Sequence, residues 1–305
     1  MDKTTTNFFN IPICEVIPFI NWTFFFSAWN LSGKYADIQK VYEHDEDKTL
    51  WLQKFSTAER QKAEEALKLY CDAQKLLTCI EKEKTLCINA MIGIFPACSD
   101  ENDNIIVNFE EEKIIIPTLR QQKPSTDGFC YSLADFLYKK NDFLGVFANT
   151  VTGSEKLAQF FEHKGDMYQS ILLKTLADRL AEATAEWLHY KVRKEIWGYS
   201  PDEKRDIAEM FKAHYQGIRP AVGYPSLPDQ SIIFDLDKIV NFNNLGISLT
   251  ENGAMFPASS ICGLMFAHPE SKYFIVGKID EEQLADYARR RGKTPEEMQK
   301  WLAAN

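Results

Sequence analysis

The densest collection of ligand-holding groups in the chain is Tyr215-Gln-Gly-Ile-Arg-Pro-Ala-Val-Gly-Tyr-Pro-Ser-Leu-Pro-Asp229, which packs one guanidinium, two glycines, two tyrosines and three prolines into fifteen residues. Proline removes backbone donors and fixes φ, and glycine opens conformations other residues avoid, so this stretch is neither a helix nor an interior strand. It reads as an ordered loop or a chain of turns. Arg219 offers a planar fork suited to a carboxylate, Gly223 allows close approach to the backbone, and Tyr224 carries a hydroxyl at the tip of its ring. A crossover loop that binds nothing has the same composition, so the chemistry alone leaves both readings open.

A second group of polar residues is Glu182, Glu186, His189 and Arg193, spaced by four, three and four. That spacing puts them on one face of a helix. Glu186 and His189 form a Glu-x-x-His pair, which carboxylate-bridged dimetal sites use twice, with two further glutamates. With no second pair in the sequence, the four are read as an ion-pair ladder rather than a metal site.

The elements that must position these groups follow from periodicity. A frayed N-terminus is expected over residues 1–10. It is followed by an aromatic patch, Phe19, Trp22, Phe24, Phe25, Phe26 and Trp29, read as a buried anchor. Apolar residues from Ala63 to Ile80 recur at helical spacing and predict a long helix from Ser56 to Glu83. Thr85 to Ala97 predicts a buried strand ending at Pro96, and Ile105–Phe109 with Lys113–Ile116 predicts a hairpin stopped by Pro117. A short helical piece is expected at Leu133–Leu137 and a strand at Leu144–Ala148. Ser154 is placed as the N-cap of a helical region reaching Trp197 and broken near Gly165. Beyond the loop the pattern gives a helix from Ile232 to Phe242 and three short strands at Ala254–Phe256, Ile261–Ala267 and Tyr273–Lys278. A helix capped by an Asp280/Gln283 box follows, and Pro295 opens a last one.

Composition excludes several classes. The chain has 305 residues, a formal net charge of -9 and no dense Lys/Arg run, which argues against nucleic acid as a partner. No apolar stretch approaches the ~20 residues of a membrane helix, and a soluble cytoplasmic protein is expected. The seven cysteines form no C-x-x-C pair, against both a disulfide framework and a zinc site. No Gly-rich phosphate motif follows a strand, and none of the five histidines sits in a recognisable catalytic arrangement.

The run Gly217–Asp229 resembles the central motif of the activation domain of cobalamin-dependent methionine synthase. Phe19-Ile-Asn-Trp-Thr-Phe-Phe25, Leu31-Ser-Gly-Lys-Tyr35, Leu176-Ala-Asp-Arg-Leu-Ala-Glu-Ala183 through Trp197-Gly-Tyr199, and His268-Pro-Glu-Ser-Lys-Tyr273 with Asp286-Tyr-Ala-Arg289 resemble the same domain in the same order. The resemblance implies a single α+β domain over 1–305, with a twisted, mainly antiparallel sheet flanked by long helices.

It also implies a function. In that family the domain binds S-adenosylmethionine and supports reductive methylation of cob(II)alamin, with a flavodoxin-like electron donor. The resemblance carries ligand contacts onto Glu182, Arg219, Ala221, Gly223, Tyr224, Tyr273, Phe274 and Asn21. Arg219 would hold the methionine carboxylate, and Glu182 the cationic end. Two positions depart from the family pattern, Asn21 where it has an aspartate and Gln230 where it commonly has a histidine. Since the 305 residues are covered by this one domain, the expectation is a separately encoded module without stand-alone activity. It would act in trans on a methionine synthase subunit that carries cobalamin. The alternative is a non-catalytic docking or capping protein for a corrinoid protein, its S-adenosylmethionine site lost.

Overall fold

The apolar runs read as strands form the middle of one sheet. The computed structural model describes residues 5–42 and 44–302. Its strands are β1 (Thr5–Ile11), β2 (Cys87–Ser99), β3 (Asn104–Phe109), β4 (Glu112–Pro117), β5 (Asp142–Thr152), β6 (Ser248–Leu249), β7 (Met255–Phe256) and β8 (Ser260–Met265). Its α-helices are α1 (Ile13–Val16), α2 (Trp22–Ala28), α3 (Asp45–Gln53), α4 (Thr57–Glu83), α5 (Ser154–His163), α6 (Met167–Lys191), α7 (Ile207–Met210), α8 (Ile233–Val240), α9 (Glu281–Arg290) and α10 (Pro295–Leu302). The class is α+β.

Two compact units make up the chain. The sheet unit takes residues 1–9, 89–150 and 185–305, and the helical unit takes 10–88 and 151–184. In the sheet unit the strand order is β4-β3-β2-β5-β8, with β1 also paired to β2, and the pairs β2–β3, β3–β4 and β5–β8 are antiparallel. Six consecutive buried residues in β8 and eight in β5 show that both faces of these strands are covered. That explains their unbroken apolar runs, since alternation appears only when one face meets water. Leu236, Ile239 and Val240 of α8 join Phe95, Val146 and Leu264 in the core of this unit.

The helical unit is held by aromatic contacts, several of them to Tyr70 of α4. Tyr70 meets Trp22 at 4.6 Å and Tyr42 at 5.1 Å, and Trp51 meets Phe55 at 4.8 Å. The aromatic patch is the buried anchor that was anticipated, with Phe25 and Phe26 fully buried, although Phe24 faces solvent.

Five local expectations are corrected. Thr5–Ile11 is a strand rather than a frayed end, because it hydrogen-bonds to β2 and Phe9 packs on Trp187; residues 1–4 lie outside the described residues. β2 runs through Pro96 to Ser99, where its pairing with β3 begins only at Ala97. Gly153, not Ser154, is the N-cap of α5. Residues 273–278 form no ladder; Val276 instead donates its N–H to the carbonyl of Pro225 in the loop. Asp280 does cap α9 through the N–H of Gln283, but the Gln283 side chain accepts from the backbone N–H of Arg120, so the box is half made.

Candidate functional site

Residues 218–222 lie as an extra edge segment along β8. Ile218 exchanges hydrogen bonds with Phe266 at 3.1 and 2.9 Å, Leu264 donates to the carbonyl of Pro220 at 3.0 Å, and Val222 donates to that of Cys262 at 3.0 Å. Pro220 has no N–H to offer, and at an edge it needs none. The close approach depends on Gly263: a Cβ there would stand 2.3 Å from the Pro220 carbonyl oxygen and 2.8 Å from Cα of Ala221. Ala221 is therefore buried against the sheet.

The chain then turns twice, with Tyr224 donating to the carbonyl of Ala221 and Leu227 to that of Tyr224. Gly223 has φ +83, a left-handed conformation that disfavours a side chain, and its missing Cβ leaves room for Oε1 of Gln230. The far end of the loop is fastened by Asp229. Fully buried, it accepts from Ser231 and from the Tyr287 hydroxyl at 2.8 Å, and pairs with Arg291 at 3.1 Å.

Arg219 lies at the middle of this arrangement. Its backbone N–H donates to the Tyr273 hydroxyl at 3.0 Å, and its Nη2 donates to Oε2 of Glu186 at 2.9 Å. Glu186 comes from α6 and its side chain is 8% exposed, against 16% for that of Arg219. The Tyr215 hydroxyl is pushed up by burial first and then by the neighbouring Tyr273 and Glu186. On its other side the Tyr215 ring lies 3.9 Å from the Arg193 guanidinium and edge-on to His189.

Arg193 is fully buried and doubly bonded to Glu203, at 2.7 Å through both Nε and Nη2. Burial pulls its pKa down, but the Glu203 hydrogen bond and charge outweigh this and leave it raised. His189 is fully buried with Nε2 3.2 Å from the Tyr199 hydroxyl, and burial, then the charges of Arg193 and Arg219, hold it well below the ordinary histidine range. Burial likewise pushes the Tyr215 and Tyr199 hydroxyls up. His189 is thus neutral at physiological pH, and both tyrosines keep their protons.

The ladder expected along α6 does not form in that way. Glu186 and Arg193 each pair with a group off the helix, Arg219 and Glu203, rather than with one another. Among the described residues no group of three or more His, Cys, Asp or Glu side chains is arranged to hold a metal ion.

Of the eight residues singled out from sequence, the structure brings Arg219 and Tyr273 into direct contact, with Ala221, Gly223 and Tyr224 on the same loop. Tyr224 and Tyr273 expose 48% and 43% of their surface, enough for a ring to meet a ligand. Phe274 is buried, with its ring 6.1 Å from Tyr131 and 6.2 Å from Phe136. Asn21 and Glu182 belong to the helical unit. Asn21 is the N-cap of α2, its side-chain oxygen accepting from Thr23 N at 3.1 Å. Glu182 is half-buried on α6. Sequence reasoning missed Glu186 as the partner of Arg219, along with Gly263, Tyr215 and Asp229. Only Gly263 carried a signal, since an isolated glycine in an apolar strand pattern marks close approach of another backbone.

Fold and loop together define an α+β module in which a segment laddered onto an edge strand presents one arginine. The family described as vitamin B12 dependent methionine synthase, activation domain, matches residues 12–292, and the chain belongs to that family. A crystal structure of the MetH reactivation domain bound to AdoHcy is 37% identical, with a TM-score of 0.87, and the match covers all of this chain and 91% of that one.

Proposed function

We propose that this chain is the S-adenosylmethionine-binding reactivation module of a cobalamin-dependent methionine synthase. The observation that carries the reading is Arg219, a partly exposed guanidinium held from the backbone side by Tyr273 and from the side-chain side by Glu186. A ligand carboxylate fits a planar guanidinium whose position is set in advance. The AdoHcy bound by the related reactivation domain supports the same assignment.

In this reading Arg219 holds the carboxylate of the methionine end, and the Tyr273 ring shapes the pocket. The Tyr273 hydroxyl accepts from the Arg219 N–H, and its half-exposed ring offers a face to the ligand. When bound, S-adenosylmethionine supplies the methyl group for cobalt, and the chain's own part is positioning, which lowers the barrier by orientation. The cobalamin in this proposal is presented by a methionine synthase subunit, on which the module acts in trans. A flavodoxin-like protein provides the electron.

Calorimetric titration with S-adenosylmethionine and AdoHcy tests the reading. Saturable binding lost in Arg219→Ala supports it, as does restored turnover when the protein is added to an oxidised cobalamin-bearing methionine synthase with its reductant. No binding up to about millimolar ligand, weaker than about -4 kcal/mol, would sink it in favour of a docking protein.

A further inference from the structure

We propose that Glu186 is a positioning residue for the ligand carboxylate, acting through Arg219; this rests on the function proposed above. An arginine side chain on a proline-rich loop has many rotamers, and fixing it on ligand arrival costs entropy. Here Glu186 removes that freedom beforehand. Its carboxylate projects from a long helix, is 8% exposed, and meets Arg219 Nη2 at 2.9 Å. Its other oxygen, Oε1, is buried without a hydrogen-bond partner among the described residues. A buried carboxylate so placed relies on the guanidinium for its stability, so the two stay together. The backbone of Arg219 is fixed independently, by the Tyr273 hydroxyl and by the ladder bonds of Ile218 and Pro220 on either side. With main chain and side chain both held, the guanidinium is set before a ligand arrives. The structure thus assigns to Glu186 a share in selecting ligands that carry an α-carboxylate.

The neutralising charge of Glu186 also opposes carboxylate binding, so the sign of its effect is the decisive observable. Glu186→Gln keeps the shape and weakens the bond to Arg219, while Glu186→Leu removes it. Calorimetry on the full chain compares AdoHcy with its decarboxylated analogue. The expected result is AdoHcy binding weakened about five- to tenfold in Glu186→Gln and more in Glu186→Leu. The decarboxylated analogue should bind all forms within about twofold, since it makes no use of the guanidinium. Unchanged or tighter AdoHcy binding in Glu186→Gln overturns the proposal, and so does an equal loss for both ligands, which marks a merely structural role. Should Glu186→Leu fail to fold, the isosteric Gln variant still decides. Failure of the functional reading is separable, because wild-type protein would then bind no AdoHcy, and the proposal would fall with it.

Discussion

Two arginine–glutamate pairs stand side by side in the sheet unit, and they differ in what surrounds them. Arg193 is fully buried, grips Glu203 through two nitrogens and lies 3.9 Å from the Tyr215 ring. Arg219 is partly exposed and meets Glu186 through Nη2. The first pair is closed off from water, where a charge survives only if its partner stays. The second keeps some exposure, 16% for the Arg219 side chain. Burial, not residue type, separates the closed ion pair from the one proposed to meet a ligand.

The largest effect should come from breaking the closed pair. Glu203→Ala leaves Arg193 buried and unpaired, and should cost ~3–5 kcal/mol in urea denaturation. Arg219→Lys keeps a charge opposite Glu186 and should lose far less stability, while AdoHcy affinity falls at least about tenfold, ~1.4 kcal/mol, for want of the planar fork. If the two variants lost equal stability, the contrast between the pairs would collapse. Gly263→Ala drives a Cβ into the Pro220 carbonyl and should destabilise by ~1–3 kcal/mol. It should also weaken ligand binding, because the backbone on either side of Arg219 hangs on that ladder.

His189 sharpens the comparison through pH. It is held well below 6.5 by burial first and then by Arg193 and Arg219. The unfolded chain therefore takes up a proton below about pH 6.5 that the folded one refuses, and stability must fall as pH drops through that window. The slope from this one group is at most about 1.4 kcal/mol per pH unit. Denaturation series from pH 7 to about 5 should show a shallower fall in His189→Gln than in wild type. The smallest effect concerns Asn21, whose capping bond to Thr23 is worth ~1 kcal/mol in Asn21→Ala, whereas Asn21→Asp keeps the cap and should change stability by less than about 0.5 kcal/mol.

Much of the fold was legible from local rules. The long helix α4, the β3–β4 hairpin and the break near Gly165 came from periodicity and from glycine and proline, because each depends on neighbours in the chain. Reading failed where a distant partner decided. Thr5–Ile11 has no strong pattern and becomes a strand because β2 is there to pair with it. Residues 273–278 have a strand-like pattern and no ladder, because they lie against a proline-rich loop rather than a strand. Gln283 was read as a capping side chain, but Arg120, far away in sequence, claims it.

The candidate site divides in the same way. Sequence by itself determined that residues 215–229 form an ordered loop or a chain of turns and marked Arg219 as the group to watch, since Pro220, Gly223 and Pro225 restrict their own backbone wherever they stand. Only the tertiary structure decided that Glu186 faces Arg219, that Tyr273 spends its hydroxyl on the Arg219 N–H, and that Gly263 admits the loop to the sheet. Those are pairings between residues dozens of positions apart. A chain specifies such contacts through the packing of the whole core, not through any pattern within a window.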